Sequence, residues 1–372
     1  MRYIDSDIGT FVEYVKKNNK KIILFGAGAV CRTFIPYISR KYNLQDEYLY
    51  VIDNNSAKQG QKVAINALEI PIVTSDVLNK CKEDYCVLIT NGEFYSVMQQ
   101  LDQIDACKEK DCFIAAYMQL DRQYDKSVHT VFADFQEPQI PKRINYCWFS
   151  GNPMPESLQK CIQTWKEYCP DYEIVRWDES NVDLKKYRYT KEAYEAKKWG
   201  FIPDLVRLQI LYEVGGFYFD TDVEMLRNID ELRYQKAFCG RERAGHINFG
   251  GGSGSVPHNS IIGELFDFRK DVPFLLGEGK LNTEASGYFE TTPLIKYGLE
   301  LEDVNQKLDG INVYASEFFS PYNYISGEEI QNHNTFSIHH FNGSWLEQGN
   351  LLRMETREKY QTLKQNLERI CL

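Results

Sequence analysis

Three absences narrow the classes of protein that this 372-residue chain can belong to. Its ten cysteines include no Cys-x-x-Cys pair, which argues against a structural zinc site. No block or stripe of Lys and Arg stands out, and the formal net charge is −10, so nucleic-acid binding is not expected. No apolar run reaches the roughly 18–20 residues that a membrane-spanning helix needs.

Two further absences bear on where the protein works. The first residues, MRYIDSDIGTFVEYVKKNNKK, contain no apolar core of the signal-peptide type. A chain of this length does not need disulfide staples, so we interpret the cysteines as reduced thiols. We therefore expect a soluble cytoplasmic protein, and peripheral contact with the inner face of a membrane stays open.

The first 120 residues have the pattern of a small Rossmann-like α/β domain with a parallel sheet. An apolar strand, KIILF, leads into Gly26-Ala-Gly28 and then into an apolar helical pattern, as at the start of a βαβ unit. Further strands are predicted at YLYVIDNN, YCVLITNG and DCFIAAY.

A second domain follows a short connector framed by Pro138 and Pro141. We predict the limits 1–135 for the first domain and 136–372 for the second. The second domain mixes strands and helices without an internal repeat. Its glycine-rich stretch FGGGSGSVPHN, residues 249–259, is predicted to be a flexible loop.

The glycine loop of the first domain allows two interpretations. Gly26 and Gly28 can bring backbone amides to a phosphate, and Asp53, 25 residues after Gly28, can accept a ribose hydroxyl. Alternatively, the glycines make a tight turn and Asp53 starts another. Because Cys31 replaces the third glycine of the dinucleotide fingerprint, we favour the structural interpretation, and the other three residues stay candidates for cofactor binding.

An amphipathic helix in the second domain presents an Asp-x-x-Arg pair. Apolar residues recur at helical spacing through FIPDLVRLQILYEV, and Gly215-Gly216 ends the helix. Asp204 and Arg207 are three positions apart and therefore project from the same side. A surface salt bridge is one interpretation of this pair. The other is that the start of the helix points at the two aspartates that follow the next strand.

Those aspartates, Asp220 and Asp222, lie at the exit of the apolar strand GFYFD. Burying a carboxylate without a partner is costly. Carboxylate oxygens bind hard divalent cations, which keep open positions for phosphate oxygens. A cation on a diphosphate offsets its charge and stabilises it as a bond to it breaks. Placed after the Asp-x-x-Arg helix, the pair predicts a metal–diphosphate site for Mg²⁺ or Mn²⁺.

With these motifs the chain resembles the sugar transferases that carry the DXD motif, glycosyltransferase family thirty-two. The resemblance rests on YCPDYEIVRWDE, on FIPDLVRLQILYEVGGFYFDTDVEML and on FSIHHFNGSW, and it covers roughly residues 140–345. The family includes capsular polysaccharide enzymes and yeast-type mannosyltransferases. The resemblance implies an α/β fold of the GT-A type, a nucleotide-sugar donor, a divalent cation and retention at the anomeric carbon.

The resemblance also implies roles for residues that contact the donor. Asp204 and Arg207 correspond to the pair that bonds hydroxyls of the donor sugar, and Tyr218 corresponds to a donor-contacting tyrosine. Trp148 corresponds to the aromatic residue that stacks on the nucleotide base, although a core tryptophan is the alternative. Thr291-Thr292-Pro293 resembles a Thr-Gly-Pro loop near the reaction centre, with Thr292 in place of the glycine.

The implied metal and diphosphate contacts come from two distant segments. Asp220 and Asp222 correspond to the metal and nucleotide ligands, with Asp222 the more direct, and they join Asp204 and Arg207 as candidate catalytic residues. His339 is the implied third metal ligand, in preference to His340. Ser344 and Trp345 are implied to bond the diphosphate when their loop closes and excludes water. 

Together with these motifs, the resemblance implies a metal-dependent, retaining hexosyltransferase. It would move a sugar from a nucleoside diphosphate sugar, with a UDP-sugar favoured, to a hydroxyl of a glycan, lipid-linked or protein glycoconjugate, in surface polysaccharide or glycoconjugate synthesis. No nucleophile is evident, which favours attack on the same face as the leaving group. One alternative is an NAD(P)-dependent oxidoreductase or epimerase, but YSVMQ and YMQLD do not supply its Tyr-x-x-x-Lys pair. Another is a non-catalytic nucleotide-sugar-binding protein.

Overall fold

The computed structural model describes residues 1–92, 94–120, 130–276, 279–342 and 349–369. The chain divides into two compact units, Met1–Tyr124 with Glu358–Leu372, and Asp125–Arg357. Each unit is built on its own sheet, and both sheets are flanked by helices, which confirms the α/β class. The sequence-based domain limits 1–135 and 136–372 stay a prediction.

The first unit is a doubly wound, mostly parallel sheet. Its strands are β1 (Arg2–Asp5), β2 (Lys21–Phe25), β3 (Tyr48–Ile52), β4 (Lys62–Ile65), β5 (Leu68–Val73), β6 (Tyr85–Ile89), β7 (Asp111–Ile114) and β17 (Glu368–Arg369). Its helices are α1 (Ile8–Lys17), α2 (Ala29–Tyr42), α3 (Val77–Lys80), α4 (Phe94–Asp102) and α5 (Ala115–Leu120). The strand order is β17-β1-β7-β6-β2-β3-β5-β4, and every neighbouring pair is parallel apart from β4 and β5. The four strands predicted for this region are present as β2, β3, β6 and β7.

The second unit contains a mixed seven-stranded sheet and a separate two-stranded one. Its strands are β8 (Arg143–Cys147), β9 (Glu173–Trp177), β10 (Gly216–Tyr218), β11 (Val223–Met225), β12 (Ala237–Arg241), β13 (Ile247–Ser255), β14 (Gln306–Leu308), β15 (Ile311–Tyr314) and β16 (Ser337–His339). Its helices are α6 (Glu156–Tyr168), α7 (Arg188–Glu195), α8 (Pro203–Glu213), α9 (Ser260–Lys270), α10 (Ser286–Ile295) and α11 (Ser316–Phe319). The limit between the units falls within α12 (Gly349–Asn366). The large sheet has the order β14-β15-β12-β13-β10-β8-β9, and β11 pairs with β16.

The helix-to-strand connection before the aspartate pair depends on two glycines. Gly215 and Gly216 have φ angles of 72° and 90°, which L side chains rarely adopt. A Cβ atom on Gly216 would lie 2.7 Å from the backbone oxygen of Arg143. The close approach lets β10 pair with β8 directly after α8 ends, as the sequence predicts.

The stretch 249–259 is not a flexible loop, so that prediction is wrong for most of its length. Residues Ile247–Ser255 form β13, a fully buried strand between β10 and β12. Glycine normally weakens a strand, but it also permits close approach by neighbouring groups. A Cβ atom on Gly252 would lie 2.5 Å from Cδ1 of the Phe319 ring. The glycines therefore make room for the side chains that pack over this strand.

An aromatic core supports the large sheet. It contains Phe217, Phe219, Phe238, Tyr314, Phe318, Phe319 and Phe336. The buried Trp165 of α6 joins this core and donates Nε1–H to the backbone oxygen of Val223 at 2.8 Å. The core thereby fixes the chain on both sides of the aspartate pair. None of the helices in the described ranges is long and apolar enough to cross a membrane.

Candidate active site

The Asp-x-Asp segment lies in a turn that backbone hydrogen bonds fix to two neighbouring strands. The backbone N–H of Phe219 donates to the oxygen of Asn145 on β8 at 3.2 Å. The N–H of Asp220 donates to the oxygen of Gly250 on β13 at 2.8 Å, and Val223 closes the turn by donating to the oxygen of Asp220 at 3.0 Å. Both carboxylates therefore stand at the carboxyl end of β10.

Asp222 forms a largely buried pair with His339. Antiparallel pairing of β11 with β16 sets Val223 opposite His339. Oδ1 of Asp222 lies 3.3 Å from Nε2 of His339, and the backbone N–H of Asn342 donates to Oδ2 at 2.7 Å. Burial acts to raise the pKa of Asp222, but His339 and Asn342 lower it to about 2. Burial likewise opposes a charge on His339, but Asp222 raises the pKa of that imidazole.

Asp220 is more exposed and less firmly held. Its Oδ1 accepts a hydrogen bond from the Tyr218 hydroxyl at 3.1 Å, and its Oδ2 lies 3.6 Å from Nη1 of Arg207. A Cβ atom on Gly250 would overlap both this carboxylate and the Arg207 guanidinium. The absence of a side chain on β13 at this position therefore keeps the space between Asp220 and Arg207 open to both groups.

Asp204 and Arg207 lie beside the aspartate pair, in a buried network of charges. Asp204 is hydrogen-bonded to Arg207 of its own helix and to Nη2 of Arg269 on α9, the latter at 3.1 Å. Arg207 also lies 3.7 Å from Oε1 of Glu290 on α10. Asp204 and Arg207 are only 8% and 3% exposed, which excludes the surface salt bridge that the sequence left open.

Sequence reasoning missed three polar residues of this region. Arg269 and Glu290 belong to no recognisable motif, although Glu290 directly precedes the Thr291 segment singled out above. Only the packing of α9 and α10 brings Arg269 to Asp204 and Glu290 to Arg207. Asn248 directly precedes the stretch 249–259 that was predicted to be a loop, and no motif marks it. Its Nδ2 lies 3.3 Å from Nδ1 of His339, while its Oδ1 accepts the Gly251 N–H at 2.9 Å.

Trp148 follows β8 at the same edge of the sheet as Asp220, because β8 and β10 are parallel neighbours with Asn145 opposite Tyr218. Its indole is partly exposed, and Nε1–H donates to the backbone oxygen of Asn152 at 2.8 Å. An accessible ring at this edge suits base stacking better than a core position, and the stacking role stays a prediction.

The Thr291–Pro293 segment is helical, which corrects the prediction of a loop. It lies within α10, where the Thr291 hydroxyl accepts the Ile247 N–H at 2.9 Å. Thr292 donates its hydroxyl to the backbone oxygen of Tyr288 at 2.7 Å, one turn earlier. With a threonine in place of the family's glycine, the segment continues the helix. The Thr292 hydroxyl bonds within α10, and the Thr291 hydroxyl joins α10 to β13.

The remaining predicted residues of the closing segment separate into two groups. His340 pairs with Glu224, Nε2 to Oε2 at 2.9 Å, and only its backbone N–H contacts Asp222, through the backbone oxygen at 3.1 Å. Ser344 and Trp345 lie outside the described residues. 

In the glycine loop of the first unit, the Asp53 carboxylate is bonded to groups of the protein itself. Oδ2 of Asp53 accepts the Ala27 N–H at 2.8 Å and lies 3.2 Å from Nζ of Lys58. A carboxylate on the loop amides repels a phosphate at the same place. This geometry favours the structural interpretation, and cofactor binding by Gly26, Gly28 and Asp53 stays a prediction.

The predicted metal ligands fit a hard divalent cation in their chemistry. In the described ranges no three His, Cys, Asp or Glu side chains are already gathered around one metal position. Asp220, Asp222 and His339 nevertheless offer two carboxylates and one imidazole, a donor set that Mg²⁺ and Mn²⁺ accept. Oδ1 of Asp222 lies 3.3 Å from Nε2 of His339. Adjacent ligand atoms of an octahedral cation with bonds of about 2.1 Å are about 3 Å apart, so these two atoms have a suitable spacing.

Two parts of the chain match described protein families. Residues 155–239, which contain Asp204, Arg207 and the aspartate pair, match the glycosyltransferase sugar-binding region containing the DXD motif. Residues 1–115 match the C-methyltransferase C-terminal domain.

Similar curated proteins include two mannosyltransferases of fission yeast and one bacterial protein. Inositol phosphoceramide mannosyltransferase 3 of Schizosaccharomyces pombe is 31% identical over 152 residues, which are 40% of this chain and 38% of that protein. Inositol phosphoceramide mannosyltransferase 2 of the same organism is 30% identical over 128 residues, 33% of this chain and 36% of that protein. Subversion of eukaryotic traffic protein A of Legionella pneumophila is 27% identical over 115 residues, 24% of this chain and 18% of that protein.

The chain therefore spans less than two fifths of the length of each of these relatives. Among solved structures, the PaToxG glycosyltransferase aligns with a TM-score of 0.35 and 19% identity, over 43% of this chain and 70% of that one. The similarity to the DXD-containing sugar-binding region of glycosyltransferases thus extends from residue 155 to residue 239 of this chain.

Proposed function

We propose that this chain is a metal-dependent glycosyltransferase that moves a sugar from a nucleoside diphosphate sugar to a hydroxyl acceptor. The observation that carries the proposal is that two largely buried pairs lie near Asp220, at the carboxyl end of β10. Asp222 with His339 forms one pair, and Asp204 with Arg207 forms the other. Asp220 stands between them and contacts Arg207.

In this proposal Asp220, Asp222 and His339 hold a divalent cation. When bound, such a cation neutralises the diphosphate and stabilises it as the leaving group. The low pKa of Asp222 keeps its carboxylate charged at neutral pH, so a ligand charge is present before the donor arrives. The backbone hydrogen bond from Asn342 orients that carboxylate.

The donor sugar is proposed to lie against Asp204 and Arg207. Their mutual ion pair and the contact of Asp204 with Arg269 restrict both side chains before binding, which lowers the entropic cost of orienting the sugar. Trp148 is proposed to stack on the base, and Tyr218 to contact the donor. Ser344 and Trp345 keep their proposed role at the diphosphate.

The finer features of the reaction follow from the resemblance. We propose retention at the anomeric carbon by same-face attack, with a UDP-sugar or another nucleoside diphosphate hexose as donor. The acceptor is proposed to be a glycan, lipid-linked or protein glycoconjugate in surface polysaccharide or glycoconjugate synthesis. Because two relatives are named inositol phosphoceramide mannosyltransferases, a lipid acceptor at the inner face of a membrane belongs among the candidates, and GDP-mannose belongs among the donors.

The test is donor hydrolysis and transfer by the full chain with Mn²⁺ and a panel of UDP-glucose, UDP-galactose, UDP-N-acetylglucosamine and GDP-mannose. We expect one donor to be consumed, and EDTA to stop the reaction. Asp222→Asn should lower kcat at least 100-fold, because the amide removes the ligand charge. The matched control is Asp267→Asn, an exposed aspartate of α9 that pairs with Lys270, and it should behave as wild type.

Two outcomes contradict this proposal. Near-normal turnover by Asp222→Asn contradicts the metal role. Tight binding of a nucleotide sugar by the wild type, with neither hydrolysis nor transfer to any acceptor, points instead to a non-catalytic binding protein.

A further inference from the structure

Glu290 is a fully buried carboxylate that the proposed reaction does not yet use. It lies on α10, and its Oε2 accepts the Phe249 N–H of β13 at 2.9 Å. Its other oxygen, Oε1, is buried without a hydrogen-bond partner and faces Nη1 of Arg207 at 3.7 Å. The hydrogen bond that joins α10 to β13 accounts for the position of one oxygen of Glu290. It does not explain the second oxygen, nor why a charge is kept in the interior.

Arg207 is the centre on which the carboxylates of this region converge. Its Nη2 is paired with Asp204, and its Nε–H donates to the backbone oxygen of Pro203 at 3.2 Å. Its Nη1 lies between two carboxylates at similar distances, 3.6 Å from Asp220 and 3.7 Å from Glu290. Nη1 is thus shared by one partly exposed and one fully buried anion.

The charge balance of the buried network around Arg207 would change if the Asp220 carboxylate bound a metal cation. The network holds the carboxylates of Asp204, Asp220 and Glu290 and the guanidinium groups of Arg207 and Arg269. If Asp220 becomes a metal ligand, two carboxylates remain for two guanidinium groups, and the buried charges balance. Without Glu290, one carboxylate would face two buried cations, an arrangement that is strongly unfavourable in an interior.

We propose that Glu290 is a positioning residue that would hold the Arg207 guanidinium against the donor sugar when the Asp220 carboxylate is turned toward the cation. The inference rests on the proposed function and adds a residue to it. Glu290 acts through Arg207, so its loss should affect the handling of the sugar and leave binding of the nucleotide diphosphate unchanged.

Glu290→Gln in the full chain is the direct test. The amide keeps the shape of the side chain and an oxygen for the Phe249 N–H, but it removes the charge. We expect the Kd for UDP or GDP with Mn²⁺ to stay within twofold of wild type, whereas kcat for hydrolysis of the preferred donor of the panel falls at least tenfold. The control is Glu264→Gln on the adjacent α9, an exposed carboxylate bonded to Lys296, which should change neither value.

Glu290→Asp is the second variant, and it serves if the glutamine variant does not fold at the assay temperature. It keeps the charge but withdraws it from Arg207 by one methylene, so kcat should fall while the nucleotide Kd holds. Wild-type kcat and KM in folded Glu290→Gln, or wild-type kcat in Glu290→Asp, overturn the role of Glu290. A wild-type chain that hydrolyses none of the donors overturns the proposed function instead.

Discussion

At the residue scale, the two aspartates of the turn differ in how they are held. Asp222 is largely buried, with a backbone N–H on one oxygen and His339 beside the other. Asp220 has one hydroxyl donor and a more distant Arg207. If both carboxylates bind the proposed cation, a fixed carboxylate next to an adjustable one would allow the second to adapt when the diphosphate of the donor is present.

The pH dependence of donor hydrolysis is the prediction at this scale. Burial raises the pKa of Glu290 to about 7. The charged and titratable groups that face Glu290 are Asp204 and Arg207 of α8, Arg269 of α9 and Cys239 of β12. The ionised form is the one that holds Arg207, so kcat/KM should fall as the pH drops through about 7, by up to tenfold per pH unit. Since kcat/KM reports the free enzyme, it should be measured at limiting donor from pH 5.5 to 8.5.

Glu290→Gln provides the comparison for this profile. It should be uniformly slower and should lack the fall near pH 7. Superimposable normalised profiles for the two proteins would show that another group causes the fall.

The sequence predicted those residues of the candidate site that belong to motifs. It did not predict the residues that only tertiary packing brings to the site. Asp204, Arg207 and Asp220 are linked by one helix–strand segment, so their proximity follows from local spacing. Arg269 and Glu290 come from later helices, and nothing in the spacing of LFDFRKD or FETTP signals that either charge is buried. Their burial is decided by tertiary contacts, which single-sequence patterns do not encode.

At the element scale, β13 shows why its glycine-rich composition led to the wrong prediction of a flexible loop. Glycine and serine dominate this strand, and both are typical of loops. Yet the strand is paired on both sides and buried throughout. Its missing side chains are replaced by groups from other elements, with the Phe319 ring over Gly252 and the Asp220 carboxylate beside Gly250. The glycines that suggested a flexible loop are therefore needed because larger residues would collide with these groups.

Gly250→Ala tests that requirement. The added Cβ would overlap the Asp220 carboxylate and the Arg207 guanidinium, so both must shift. We expect kcat/KM for donor hydrolysis to fall at least 100-fold, with a loss of about 1–3 kcal/mol in the free energy of unfolding. Chemical denaturation and the hydrolysis assay measure the two effects.

The matched substitution is Gly9→Ala in α1, where the added Cβ makes an ordinary 3.4 Å contact and alanine favours the helix. It should leave activity unchanged and stability equal or slightly higher. Wild-type activity in Gly250→Ala would mean that the separation of Asp220 and Arg207 is not critical.

At the scale of the whole molecule, the first unit is assembled from both ends of the chain. Its sheet places β17 beside β1, with Ile4 opposite Glu368. Tyr360 stacks on Tyr117 with ring centroids 4.5 Å apart, and its backbone oxygen accepts the Tyr117 hydroxyl at 3.0 Å. The C-terminal stretch ETREKYQTLKQNLERICL has the pattern of a polar amphipathic helix, but amphipathicity does not specify which core the apolar face joins. 

Tyr360→Ala should therefore weaken the first unit. Tyr360 is almost fully buried, and deleting its ring removes the stack and leaves a cavity, at a cost of about 3 kcal/mol. Hydrogen exchange should show faster opening of β1, β6 and β7. Tyr95→Ala, at an exposed tyrosine of α4, is the control and should leave these exchange rates unchanged. Equal protection in both variants would contradict a structural role for the C-terminal segment in the first unit.

The discontinuous first unit also has a consequence for how the protein is made. Residues 1–124 are translated before the second unit, whereas β17 is translated only after the whole second unit. Until then β1 is the last strand on its side of the sheet, and its unpaired backbone groups can pair with other nascent chains. Yield in the cell should therefore depend on translation speed and on chaperones that cover an open sheet edge, even where the stability of the finished protein is unchanged.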